Sequence, residues 1–298
     1  MGSTFLALIL MQYVVSVKAG LVNHVQGTAN VAEMEQVRRG DPISTSQGGY
    51  AEVLLTPGSF LRIGESSAVV LDGVELESVS LSVIKGPAVI EVIDINKKFP
   101  IQVTTGDLKM NIVAAGIYRF ENGVATVLDG KLQTADSKLS YEKGWQVFFK
   151  DSYRARKIGK ALPSDLDVYS QIRSQTIARA NATLVASINP SIGFSDPYWL
   201  FSRAFGYYTF IPHGNFRSPY GYHYYRPGHV ERRPTTTTYS TGSNTPSVSA
   251  PVSSGGDSGN SGGGGGGAAP VVVSTPSGER SAPAVYIESK STPVGATQ

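Results

Sequence analysis

Turn-forming residues return at short, regular intervals through the first half of this chain, and that rhythm limits what it can fold into. Between Arg39 and Ile63 the breakers Gly40-Asp41, Gly48-Gly49 and Pro57-Gly58-Ser59 separate apolar runs that are too short for helices. Asp72-Gly73, Lys85-Gly86-Pro87, Asn122-Gly123 and Asp129-Gly130 continue the pattern. Asx-Gly pairs of this kind accept the positive φ of tight hairpin turns. Between the breakers apolar and polar residues alternate, as in Leu108, Met110 and Ile112 around Lys109 and Asn111. Strands of roughly four to six residues, recurring about every eight to twelve positions, predict an all-β module over residues 20–150.

Only 16% of the 298 residues are charged, and none is cysteine. Disulfides, thiol nucleophiles and a lipidated cysteine are thereby excluded. The formal net charge of +3 is too small to demand nucleic acid as a partner, and none is expected. The apolar run Phe5–Val17, followed by Val17-Lys18-Ala19, reads as a signal peptide over residues 1–19 with cleavage before Gly20. That run is too short for a comfortable span. A periplasmic or secreted chain without a stable membrane span is the expectation.

Taken in order, the β segments resemble the FecR domain family. The likeness is carried by Gly40-Asp41, Gly48-Gly49-Tyr50 and Pro57-Gly58-Ser59, then by Val89-Ile90-Glu91-Val92 leading to Phe99-Pro100-Ile101-Gln102-Val103-Thr104-Thr105. Gly116-Ile117-Tyr118-Arg119-Phe120, Ala125–Leu132 and Gly144-Trp145-Gln146-Val147 complete it. The resemblance implies a β-solenoid- or sandwich-like domain. The family's usual Gly-Thr-x-Phe lacks its Thr at Gly116–Phe120, so no binding role is carried to that site. In the family this module is the periplasmic part of an anti-sigma relay. No apolar run of span length follows the leader here, so the relay itself is not expected to carry over. What remains is a non-catalytic binding or scaffolding module of the cell envelope. Two alternatives are a component of an envelope signal-sensing system acting on a sigma factor through a separate partner, and an adhesive surface protein.

Residues 160–188 predict one amphipathic helix capped by Ser164 or Asp165, with Leu166, Tyr169, Ile172, Ile177 and Leu184 inward and Arg173 and Arg179 mainly on the polar side. The Asn181-Ala182-Thr183 sequon falls inside that helix, which argues against glycosylation. In the extension 189–233, 12 of the 28 aromatic residues lie between Tyr198 and Tyr225, interrupted by Gly and Pro, so an irregular segment is expected. With Arg203, Arg217, Arg226, Arg232 and Arg233 nearby, its rings either wrap the β module or form a sticky surface for an envelope protein or polysaccharide. The candidate partner-binding residues are Tyr198, Trp199, Tyr207, Tyr208, Phe210, Arg217, Tyr220, Tyr222, Tyr224 and Tyr225. His213, His223 and His229 are too widely spaced for a closed metal site. No nucleophile, acid–base pair or cofactor motif is legible, although Glu91, Asp94, Tyr118 and Asp129 are the groups a cleft would have to assemble. The Thr-, Ser-, Pro- and Gly-rich stretch 234–298 reads as a disordered tail. Its Val271-Val272-Val273 and Val285-Tyr286-Ile287 are candidate strand donors.

Overall fold

The computed structural model describes residues 18–159, 163–188 and 196–228. The leader before Lys18, the segment from His229 and the tail, with the readings made on them, lie outside the described residues. The breakers deliver the expected strands: β1 (Leu21–Gln26), β2 (Pro42–Ser44), β3 (Tyr50–Leu54), β4 (Ser59–Ile63), β5 (Ala68–Gly73), β6 (Ser80–Lys85), β7 (Ala88–Val92) and β8 (Ile101–Thr105). They continue as β9 (Leu108–Ile112), β10 (Gly116–Glu121), β11 (Val124–Asp129), β12 (Lys131–Thr134), β13 (Ser140–Glu142), β14 (Trp145–Lys150) and β15 (Ser152–Lys157). The last of these carries the module past residue 150.

The strands form a sandwich, not a solenoid. One sheet has the order β1-β3-β4-β7-β10-β11-β14-β15 and the other β13-β12-β9-β8-β6-β5-β2. Neighbours run antiparallel except β6 and β8, which pair in parallel because β7 between them belongs to the opposite sheet. The alternating apolar residues of both sheets meet in one core that includes Val53, Leu61, Ile90, Val103, Met110, Tyr118 and Val127. At Asn122 and Gly123 both φ angles are positive (48° and 77°), the hairpin geometry that this pair was expected to supply. Asp72-Gly73 behaves differently. It ends β5 at a register shift, and a Cβ on Gly73 would lie 2.4 Å from the Ser78 carbonyl oxygen, so the glycine serves close approach between strands.

A third layer covers part of the eight-stranded sheet's outer face. It consists of helix α1 (Asp165–Val185) and two hairpins, β16 (Tyr198–Ser202) with β17 (Tyr207–Ile211), and β18 (Phe216–Arg217) with β19 (His223–Tyr224). Ser164 caps the helix in a reciprocal box with Asp167. The aromatic segment is thus more regular than its Gly and Pro content suggested, because two-strand pairing needs only short uninterrupted runs. Trp199, Phe210 and Tyr224 are buried with Leu54, Phe60 and Ile177, and Trp199 meets Phe60 edge-on at 5.0 Å.

Candidate functional site

The register of the eight-stranded sheet aligns one residue from each strand into a continuous row on its outer face. The row runs His24, Glu52, Arg62, Val89, Arg119, Thr126, Gln146, Arg156 from β1 to β15. Seven of these eight side chains are polar, on a face whose opposite side is the apolar core. Glu91 belongs to the adjoining row, opposite Phe60 and Ile117.

Under α1 this polar row becomes a buried cluster. Glu52, Arg62 and Glu91 are wholly inaccessible to solvent, and Arg173 from the helix is 5% exposed. Arg62 Nε donates to Glu52 at 2.9 Å and its Nη1 to Glu91 at 2.8 Å and to Ser170 Oγ at 2.7 Å. Arg173 Nη2 and Asn23 Nδ2 each donate to the other Glu52 oxygen at 2.9 Å, and Ser174 Oγ donates to Glu91 at 2.7 Å. The aromatic layer closes the top. Tyr220 OH donates to Ser170 Oγ at 2.8 Å, and the Tyr207 ring lies under the Arg173 guanidinium at 4.7 Å.

Two carboxylates and two guanidiniums leave the cluster neutral overall, the condition under which buried charge is tolerable. Burial pushes the Glu52 carboxyl up, but Arg173 and Arg62 together outweigh it and hold it down to about 2. At Glu91 burial wins, since it shares a single guanidinium with Glu52, and its carboxyl is raised above the usual range. Burial opposes the charge of Arg62, yet Glu91 and Glu52 raise it further, so this cation stays protonated.

Two asparagines fasten the aromatic layer. A side-chain amide offers one face of donor and acceptor, as a strand edge does. Asn23 receives the Tyr208 N–H at 2.7 Å and donates to the Tyr208 carbonyl at 3.1 Å. Asn181 donates to the carbonyls of Phe210 (2.9 Å) and Tyr225 (3.0 Å) and accepts from the Tyr225 N–H at 2.7 Å. Its burial places the sequon amide inside the fold, away from any glycan.

Several expectations change here. Arg173 faces inward and Ile172 is 57% exposed, the reverse of the sequence reading, because the inward stripe of α1 is built to meet carboxylates. Glu91, Asp94, Tyr118 and Asp129 do not converge. Tyr118 lies in the sandwich core, Asp94 sits 3.8 Å from His213, and Asp129 pairs with Lys143 at 3.2 Å. Among the candidate partner-binding residues Trp199, Tyr207, Phe210 and Tyr224 are buried and present no ring face outward. Tyr198, Tyr208, Tyr220, Tyr222 and Tyr225 are half-buried, and Arg217 is exposed. Among the described residues no three His, Asp or Glu side chains converge as metal ligands, and no helix is long and apolar enough to cross a membrane.

The cluster itself was missed, yet it leaves a trace in the sequence. Glu52, Arg62 and Glu91 are each a single charge flanked on both sides by apolar residues within a strand. Ser170, Arg173 and Ser174 mark the matching helix face.

No family model matches the chain, and no curated protein matches it. Two crystal structures of a protein from Parabacteroides distasonis, provisionally described as an anti-sigma factor, are similar at 14% identity and a TM-score of 0.34 each. One match covers 40% of this chain and 61% of the other, so this chain spans under two thirds of that relative's length. The second covers 54% and 83%. The FecR resemblance rests on the ordered motifs of the sequence.

Proposed function

We propose that this chain is a non-catalytic binding or scaffolding module of the cell envelope, periplasmic or secreted, whose partner is an envelope protein or polysaccharide. The observation that carries the reading is the division of labour within hairpin β18–β19. Its inward side, Phe216 opposite Tyr224, is spent on the core. Its outward side sets Arg217 directly opposite His223, both exposed, and His223 stacks on Tyr225 at 6.0 Å with 14° between the rings. Flat rings beside cations suit sugar faces and anionic or aromatic protein surfaces. The acids and bases most shielded from water are meanwhile locked in a neutral ion cluster, which favours a rigid scaffold over acid–base chemistry.

The test is recovery of partners from envelope extract by the full chain and by the double variant Arg217→Glu/His223→Ala. Both positions are exposed, and the change at Arg217 gives up one bond, from its Nε to the Gly221 carbonyl at 3.0 Å, so an unchanged thermal midpoint accompanies the expected fall in recovery of about tenfold for a surface whose central cation is reversed. Equal recovery would remove this face from the reading, and fractionation to the cytoplasm would remove the envelope.

Secretion also constrains processing. Ala19 is wholly buried and its N–H donates to the Val74 carbonyl at 2.7 Å, while the Gly20 N–H donates to the Leu54 carbonyl at 2.8 Å. Cleavage before Gly20 would remove that packing and bury a charged amine. On this reading the leader is cut ahead of Lys18, and N-terminal sequencing of exported protein should find Lys18 and Ala19 retained.

A further inference from the structure

Beside α1 and the edge strand β1 lies a groove of about 380 Å³, a volume in the range of small-molecule sites. Tyr169 and Arg173 line it, and both are more than nine-tenths buried. The Tyr169 hydroxyl and Arg173 Nε have no hydrogen-bond partner. Around Glu52 and Glu91 the deficit is in donors, while Asp167 Oδ1, at the start of α1, is an acceptor without a partner. All four oxygens of Glu52 and Glu91 already accept hydrogen bonds. Donors are left over, Arg62 Nη2 among them. Buried donors of this kind call for an acceptor. The walls of the groove combine an apolar side, Tyr50, Val168 and Ile172, with the polar residues His24, Gln26 and Thr176. Tyr50 stacks on Tyr169 at 4.7 Å and 24°. Val168 and Ile172, one helical turn apart at the rim, are 48% and 57% exposed.

We propose that this groove binds a small organic monocarboxylate with an aromatic or aliphatic body. Its oxygens accept from Arg173 Nε and the Tyr169 hydroxyl, and its body lies against Tyr50, Val168 and Ile172. A second carboxylate is disfavoured, because Asp165 stands on the rim. His24 holds the nearby Glu33 carboxylate at 2.7 Å. The site is separate from the partner-binding reading, whose residues lie on β18–β19, so either can fail alone.

The probe is phenylacetate, with phenylacetamide as the uncharged isostere, titrated into the full chain labelled with ¹⁵N. Saturable binding in roughly the millimolar range is expected, with a shift of the Arg173 Nε–H resonance. Tyr169→Phe keeps the ring stack, removes one donor and should weaken binding about tenfold. Ile172→Glu, at an exposed position, sets a like charge at the mouth and should weaken it at least as much. The amide should bind about fivefold or more weakly than the acid. Lack of saturation by about 20 mM, undiminished binding in both variants, or equal binding of the amide would each overturn the proposal and leave the donors to water.

Discussion

The two halves of the eight-stranded sheet carry the same polar row across the same face, and among the described residues only one half is roofed. Under α1, Glu52 and Arg62 have no access to water and both Glu52 oxygens are engaged. Past β7 the row continues as Arg119, Thr126, Gln146 and Arg156, which line an open depression of about 230 Å³. There Gln146 bonds Thr126 at 3.2 Å and accepts twice from Arg156, at 2.8 and 2.6 Å. Arg119 marks the boundary, since it reaches Asp167 at the start of the helix with 2.6 Å between them. Identical ladder positions therefore differ in energetic meaning by an order of magnitude. Burial decides this, because an unpaired charge is costly only where water cannot replace the lost partner.

The contrast can be broken most severely at its buried end. Arg62→Ala strands Glu52 and Glu91 with one guanidinium between them and should cost about 3–5 kcal/mol, read from the denaturant midpoint. A loss under about 1 kcal/mol would mean that water reaches the cluster and that the two halves are alike.

Acid titration separates the two carboxylates. Glu52, held near 2 against an ordinary 4.5, stabilises the fold fully above pH 4.5 and loses that contribution as pH falls toward 2. Glu91 is raised, so its folded form binds the proton more tightly and stability grows as pH drops through its folded value toward 4.5. Stability should therefore climb as pH falls toward 4.5 and collapse as it falls on toward 2. Glu91→Gln should flatten the climb and leave the collapse in place.

Next in size is Asn181→Ala, which removes the amide bonds to the Phe210 carbonyl and to the Tyr225 carbonyl and N–H and should cost about 2–3 kcal/mol. It should also raise hydrogen exchange in the aromatic layer ahead of the sandwich. At the open end Arg156→Ala is expected to stay within about 0.5 kcal/mol. A larger loss there would show that something covers that half too.

Much of this fold could be read from breaker spacing and alternation. Asn122-Gly123 turns as its chemistry demands, and Ser164 caps α1. The roof was harder to read. A lone Glu or Arg in a strand looks like a solvent-facing residue, and whether it is one depends on a helix more than 70 positions later in the chain. The helix hides the answer in turn, because an apolar-stripe reading puts Ile172 inside and Arg173 outside. Only the pairing of the two elements shows that the buried stripe is polar by design of both partners. Aromatic density in the extension signalled a special segment, but density alone does not say whether rings point inward. The two asparagine clamps decide that, and single Asn residues carry no sequence pattern.

The strands that hold Glu52, Arg62 and Glu91 precede their roof in the chain, which has a consequence for synthesis. A ribosome at about 5–20 residues per second takes on the order of ten seconds to pass from Glu91 to Tyr224. Until the roof is in place, the sheet's outer face holds Glu52, Arg62 and Glu91 in water among Leu54, Phe60, Val89 and Ile117, so the charges interrupt an apolar surface that would otherwise invite clumping. The charges that the finished protein must neutralise serve its unfinished form as a guard.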